Sequence, residues 1–377
     1  MSSPTTLLKN GFISIKDGFV TDVGVWPETG GKDFIDHGTG VILPGFVNAH
    51  THLELTALKG LVPWENGFSF WVKKLIQIRE KLGQEALESS IGKGISELDK
   101  SGCKIIGEVS TLDLTWKIVL QSGLYGVWFR EFLGNSVIKN VTCCKKKVNI
   151  SRSFAGHAPH TTSPHILCQL KHASRKLQLP FSIHLAESHD EIQFLSTCNG
   201  PWADFLTERG IDYKDWGLPV KTPVQYLKKL GILDKQTIAV HILYAEEKDF
   251  DILREHNVSV CLCPRSNFNL HEKLPKLEKM FQAGIKPCLG TDSLASVESL
   301  SMFDEMAYTS KSFPMVPPER IIEMATINGA CALGLERRFG SLVPGKCGAF
   351  FYMPVQASTR SGLLEAIVNA DFDTYIN

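Results

Sequence analysis

The stretch G45-F-V-N-A-H-T-H-L-E-L55 ends an apolar run on two histidines spaced one residue apart, His50 and His52. Alternation along a strand sends both imidazoles to the same side. Two neutral imidazoles beside an acidic Glu54 make an arrangement suited to a divalent metal. One such pair decides little alone, so the remaining ligands have to come from elsewhere in the chain.

Short apolar or β-branched runs recur along the sequence. After 41–52 come CKIIGEVS (103–110), YGVWFREFLG (125–134), SFAGHAPHTTS (153–163), PFSIHLAES (180–188), TIAVHILYA (237–245), VSVCLCPRSN (258–267) and KPCLGTDSLAS (286–296). Longer amphipathic stretches separate them. Such alternation predicts a parallel sheet, and eight units predict closure into a (β/α)₈ TIM-like barrel over 42–339. Residues 1–41 and 340–377 read instead as short strands and turns, including KDG, ETGG and SLVPGKCGAFFYMPV. They are expected to meet as one small composite β-sandwich domain. The run CCKKK (143–147) reads as a solvated loop.

Composition narrows the function classes. The 377 residues are 43% hydrophobic, enough for a large core, and Lys plus Arg (40) balances Asp plus Glu (40). Without a basic excess, nucleic acid and anionic membranes are not expected partners. No apolar stretch approaches the roughly 18 residues of a membrane span. The opening MSSPTTLLKNGF has neither a charged n-region nor an apolar h-region, so no signal peptide is expected. Ten scattered cysteines are not a disulfide density, and a reducing cytoplasmic location fits them best.

In barrels of this kind chemistry sits at the C-terminal ends of the strands. Reading those ends in order gives His50 and His52, then His157 and His160, then His184 with Glu187, then His241, then Arg265, Ser266 and Asn267, and last Asp292. Five of the twelve histidines (50, 52, 157, 184 and 241) close apolar runs at that end.

The series PGFVNAHTH, HAPHTTSP, HLAE, the lone His241, CPRSN and GTDSLAS resembles the amidohydrolase superfamily. Within it the series resembles the branch of adenosine-type, S-adenosylhomocysteine, aminofutalosine and guanine deaminases and chlorohydrolase-like enzymes. The resemblance covers nearly the whole chain in the right order. It implies His50, His52, His184 and Asp292 as ligands of one divalent metal, Zn²⁺ first and Fe²⁺ or Mn²⁺ as alternatives. The fourth run ends without the lysine that bridges two ions in two-metal members, hence one ion. A water in the remaining position can lose a proton near neutrality. By the same resemblance Glu187 shuttles protons, His241 hydrogen-bonds the attacking water, and Asp292 accepts its proton.

Other assignments stay open at this stage. His157 is expected to face substrate, and His160 stands where many relatives have tyrosine. Glu54 either reaches a substrate hydroxyl or supports His50 or His52. Arg265 either grips a substrate carboxylate or forms a salt bridge in the rim, and Asn267 joins it as a substrate contact. Trp64, Phe68, Phe70 and Trp71 pack in the core or form a lid over a flat ring. CxCP at 261–264 differs from the PCxxC of nucleic-acid deaminases. The expected function is a metal-dependent deaminase of a purine-type nucleoside or related aminated heterocycle. The best guess is 6-amino-6-deoxyfutalosine of a menaquinone route, its benzoate a partner for Arg265. S-Adenosylhomocysteine, methylthioadenosine and guanine are alternatives, as are chlorohydrolase-type triazine chemistry and a scaffold without catalysis. A small heterocycle is the expected partner, with a homodimer possible in principle.

Overall fold

A computed structural model describes residues 6–26, 34–135 and 149–370. Twelve strands lie within these residues. They are β1 (Gly11–Lys16), β2 (Phe19–Val25), β3 (Val41–Pro44), β4 (Phe46–Thr51), β5 (Cys103–Ser110), β6 (Tyr125–Phe132), β7 (Ile150–Gly156), β8 (Phe181–Leu185), β9 (Thr237–His241), β10 (Ser259–Leu262), β11 (Cys288–Leu289) and β12 (Phe350–Met353). Strands β4 to β11 form one eight-stranded sheet in chain order, each parallel to the next. These are the eight sequence runs, and the fold is the expected α/β barrel.

The barrel closes by joining its last strand to its first. Thr51 bridges Asp292 in parallel, and the amides of Thr291 and Asp292 both donate to His50 O at 3.1 Å. Asn48 adds a side-chain stitch, giving its amide to Thr291 Oγ1 (2.7 Å) and accepting from Thr291 N (3.1 Å). Gly290 is required at this seam, because a Cβ there would lie 2.8 Å from His50 O.

The strands carry two apolar layers because both faces of a parallel sheet are covered. Val47, Ile105, Val127, Phe129, Ile238, Val240 and Cys261 form one cluster, plugged by Ala330, Leu333 and Phe339. Phe46, Ile106, Trp128, Ile183, Leu185, Val260 and Leu262 face the surrounding helices. Burying such side chains contributes about 1.5–3 kcal/mol each.

Outside the barrel, β1 and β2 form an antiparallel hairpin, and β3 pairs antiparallel with β12. The hairpin meets the C-terminal segment at the Phe19–Cys347 bridge and through Val20 N to Lys346 O (2.8 Å). Within 340–377 a helix also forms, Arg360–Asn369, burying Leu364, Ile367 and Val368 in the outer core. The ETGG turn and the CCKKK run lie outside the described residues. Among the described residues no helix is long and apolar enough to cross a membrane.

Candidate active site

Three imidazoles converge at the C-terminal mouth of the barrel. The Nε2 atoms of His50 and His52 are 3.1 Å apart, and that of His184 lies 3.2 Å from the first and 3.4 Å from the second. A register shift in β4 between Asn48 and Thr51 accompanies this convergence; such irregularities re-aim side chains near functional sites. Asp292 Oδ1 completes the group, 3.9 Å from His50 Nε2 and 3.8 Å from His52 Nε2.

The chemistry of this donor set fits a cation. His184 Nδ1 is 2.8 Å from His157 O, which can only accept, so Nδ1 carries the proton and Nε2 presents a lone pair. Burial is the largest cause holding His50 and His184 well below the usual histidine pKa, so both are neutral at pH 7. Neutral rings crowding their inner nitrogens beside a carboxylate offer more acceptors than donors. A divalent ion of the zinc class would satisfy all four.

Asp292 is aimed by its other oxygen. Ser266 Oγ (2.5 Å) and Ser296 Oγ (3.1 Å) donate to Oδ2, leaving Oδ1 toward the histidines. Its backbone has φ +62°, a conformation uncommon outside glycine that surrounding contacts must hold. Thr51 Oγ1 and His52 N supply such contacts, donating to Asp292 O at 3.0 and 3.1 Å.

Glu187 sits opposite this cluster. Its Oε1 is 3.6 Å from His241 Nε2 and 3.7 Å from His271 Nε2. Burial pushes its carboxyl up to about 7, against the opposing influence of His241. His241 Nδ1 lies 2.8 Å from Asn267 Oδ1, so the ring donates there and keeps its Nε2 lone pair inward. Ala186 (φ +51°), His241 (φ +75°) and Ile242 (φ +52°) all turn at these strand ends. Behind them Glu191 clamps the turn, its two carboxyl oxygens accepting from Ala186 N (3.0 Å) and Glu187 N (2.8 Å), while burial pushes its pKa up to about 8.

Several expected substrate contacts are spent within the protein. Both Glu54 oxygens accept hydrogen bonds, from Ser110 Oγ (2.6 Å), Thr111 N (2.9 Å) and Leu112 N (3.1 Å), so Glu54 fixes the loop after β5 rather than reaching a substrate or a ligand histidine. Arg265 takes the rim salt-bridge option. Its guanidinium pairs with Glu298 at 3.0 Å, donates to Ser299 O at 3.0 Å, and lies 3.8 Å from the buried Glu305. Asn267 orients His241 as described. His157 is half-buried beside His184, ring centroids 5.0 Å apart, with Nδ1 2.7 Å from Thr161 Oγ1. His160 is buried against Trp202 (centroids 4.4 Å) and 3.9 Å from Glu191 Oε2, behind the Glu187 turn. Of the aromatic group, Phe68 and Trp71 are buried and stacked, while Phe70 is exposed.

Three residues escaped the sequence reading. Glu191, four positions after Glu187, looks like an ordinary acid in a helix's first turn. Glu131 closes the third run, with Oε2 taking Thr111 Oγ1 (2.7 Å) and Oε1 3.7 Å from His184 Nδ1. His271 ends the helix Pro264–His271, where only the folded chain brings it to Glu187.

The amidohydrolase family model matches residues 206–372. Over that part the chain is similar to the amidohydrolase family. A 5-methylthioadenosine/S-adenosylhomocysteine deaminase of Syntrophomonas wolfei is 29% identical over 374 residues, covering 92% of this chain and 80% of that one. Among solved structures, Helicobacter pylori aminofutalosine deaminase in complex with methylthio-coformycin superposes with a TM-score of 0.81 at 22% identity, over 96% of this chain and 92% of that one. An adenosine deaminase from Xanthomonas campestris with bound zinc gives 0.78 at 22% identity, over 96% and 84%. These structural likenesses speak to the fold, and the barrel agrees with them.

Proposed function

We propose that the chain is a metal-dependent hydrolytic deaminase of a purine-type nucleoside or related aminated heterocycle. The observation that carries this reading is Glu187: a buried carboxyl raised to about 7, clamped by Glu191, facing His241 across from the three imidazoles and Asp292. The deaminase relative supports the same reading.

His50, His52, His184 and Asp292 would hold one divalent ion, zinc by preference, with iron(II) or manganese(II) also compatible. Such an ion supplies Lewis acidity and water activated near neutral pH. The protein's own groups then manage the protons. Glu187 gives its proton to the ring nitrogen beside the amino-bearing carbon, making that carbon electrophilic. His241 Nε2, with its lone pair inward, accepts a hydrogen bond from the attacking water, and Asp292 Oδ1 takes the proton that the water loses. The hydroxyl now on that carbon returns its remaining proton to Glu187 as the carbonyl forms, and the proton on Asp292 leaves with the amino group, so one water is consumed and one ammonia released. His157, beside His184, is the polar group left to contact the ring.

The same residues could expel chloride or an alkylamine from a triazine-like ring, but a carboxyl poised near 7 favours the step that needs a donated proton. A screen of ammonium release over adenosine, methylthioadenosine, S-adenosylhomocysteine, 6-amino-6-deoxyfutalosine, guanine and a chlorotriazine tests the reading. Chloride release without ammonium, or no release by the zinc-loaded protein, would overturn it. Arg265 gives no reason to favour 6-amino-6-deoxyfutalosine, because its guanidinium is already paired.

A further inference from the structure

A cavity of about 340 Å³ adjoins Glu187 on the outer side. Ser188, the next residue, lines it, and so does His271, whose Nε2 is 3.7 Å from Glu187 Oε1. Its aromatic walls are Trp64, Phe68 and Tyr244. Trp64 is fixed by donating Nε1–H to Ala295 O at 2.9 Å, and the Phe68 ring lies 4.8 Å from that of His271. Its lining carries three acids, Glu65, Asp190 and Glu272, beside two histidines, His189 and His271, and no lysine or arginine.

Two observations mark this vestibule as built for a ligand rather than as an acidic surface patch. The His271 side chain is only 4% exposed, and its Nε2 has no hydrogen-bond partner. At 3.7 Å the Glu187 oxygen is beyond hydrogen-bond reach, so that nitrogen keeps its capacity for a ligand. The cavity also lies next to the proton-transferring carboxyl, through Ser188 and His271, on a side open to a substituent of the reacting ring.

Resting on the deaminase reading above, we propose that this vestibule receives the substrate's arm beyond the ring and selects against a carboxylate on it. The class admitted is a purine-type nucleoside with an uncharged or cationic 5′ substituent. An anionic arm would approach three carboxylates offset by the single ammonium of Lys273, which stands over the Tyr244 ring at 5.0 Å. The other cations are engaged away from it: Arg265 is paired with Glu298 and Glu305, and the charge of Arg79 acts on Glu131 and His157. Repulsion by several partly solvated carboxylates amounts to roughly tenfold in affinity.

The test compares kcat/KM for 5′-deoxyadenosine, methylthioadenosine and 5′-amino-5′-deoxyadenosine with that for adenosine-5′-carboxylate and 6-amino-6-deoxyfutalosine. The first three should exceed the last two by about tenfold or more, a gap that narrows as salt screens the wall. The double variant Glu65→Gln/Glu272→Gln, with both side chains exposed, should narrow it at least about threefold. Equal or better turnover of the carboxylates, or a gap indifferent to both salt and the double variant, would overturn the charge selection alone. No ammonium from any of the five would overturn it too, and none from the wider screen above would overturn the deaminase reading with it.

Discussion

Replacing Glu191 by glutamine keeps the shape of the clamp behind Glu187 but removes half its accepting capacity. The carboxyl oxygens accept from the amides of Ala186 and Glu187, at 3.0 and 2.8 Å, and all three residues are buried. In the variant one of those amides faces an NH₂ group and loses its partner, which costs about 1–3 kcal/mol. Alanine leaves both amides unpartnered and should cost about twice as much. Ala186 stands at φ +51°, so a loosened clamp also lets this turn relax and carries Glu187 away from His241. Urea unfolding would read the stability loss as a lower midpoint at unchanged slope. Turnover should fall by about 10–100-fold, mainly in kcat, because a misplaced proton donor harms the reaction more than binding. Glu191→Gln with an unchanged midpoint and wild-type kcat would refute the clamp.

Other perturbations bear on separate parts of the site. His184→Ala should lower metal affinity by more than the roughly 10–100-fold that outer partners contribute, read as metal per chain after dialysis; full occupancy in the variant would remove His184 from the ligand set. Chelation should abolish turnover in the wild type, and zinc should restore it. Glu187, raised to about 7 by burial, holds its proton below that value and loses it above, so kcat should decline on the alkaline side of about pH 7. Glu187→Gln should abolish that limb and reduce kcat by about 10²–10⁴-fold. Arg265→Met strands Glu305, whose carboxyl burial already pushes up to about 7, and should lower unfolding stability by about 3–5 kcal/mol. The preference between carboxylate and uncharged substrates should stay as it was, and a changed preference would return Arg265 to a substrate role.

What the sequence made legible follows from how local each signal is. Every barrel strand announces itself as an apolar run, and the polar residue ending it must lie at the mouth, so the convergence of His50, His52, His184 and Asp292 was readable strand by strand. The partners of charged side chains were not. Arg265 meets Glu298 and Glu305, 33 and 40 positions away, and Glu54 meets Ser110 and Leu112, 56 and 58 positions away. No periodicity links such pairs, and a free arginine reads like a paired one. Glu191 was hidden because its helix-capping surroundings account for an acid without invoking Glu187. His271 depended on where one helix stops. The departure at His160 was visible as a letter, but its contact with Trp202 needed the fold.

The seam between Thr51 and Asp292 gives the chain a built-in order of events. Two of the proposed ligands come from the end of the first stave of the barrel and one from the last, at least 240 positions later in the sequence. A growing polypeptide still on the ribosome therefore has no complete cage for an ion until the ring has shut. Tight metal capture would then certify a finished barrel, and each captured ion would in turn lock the staves together.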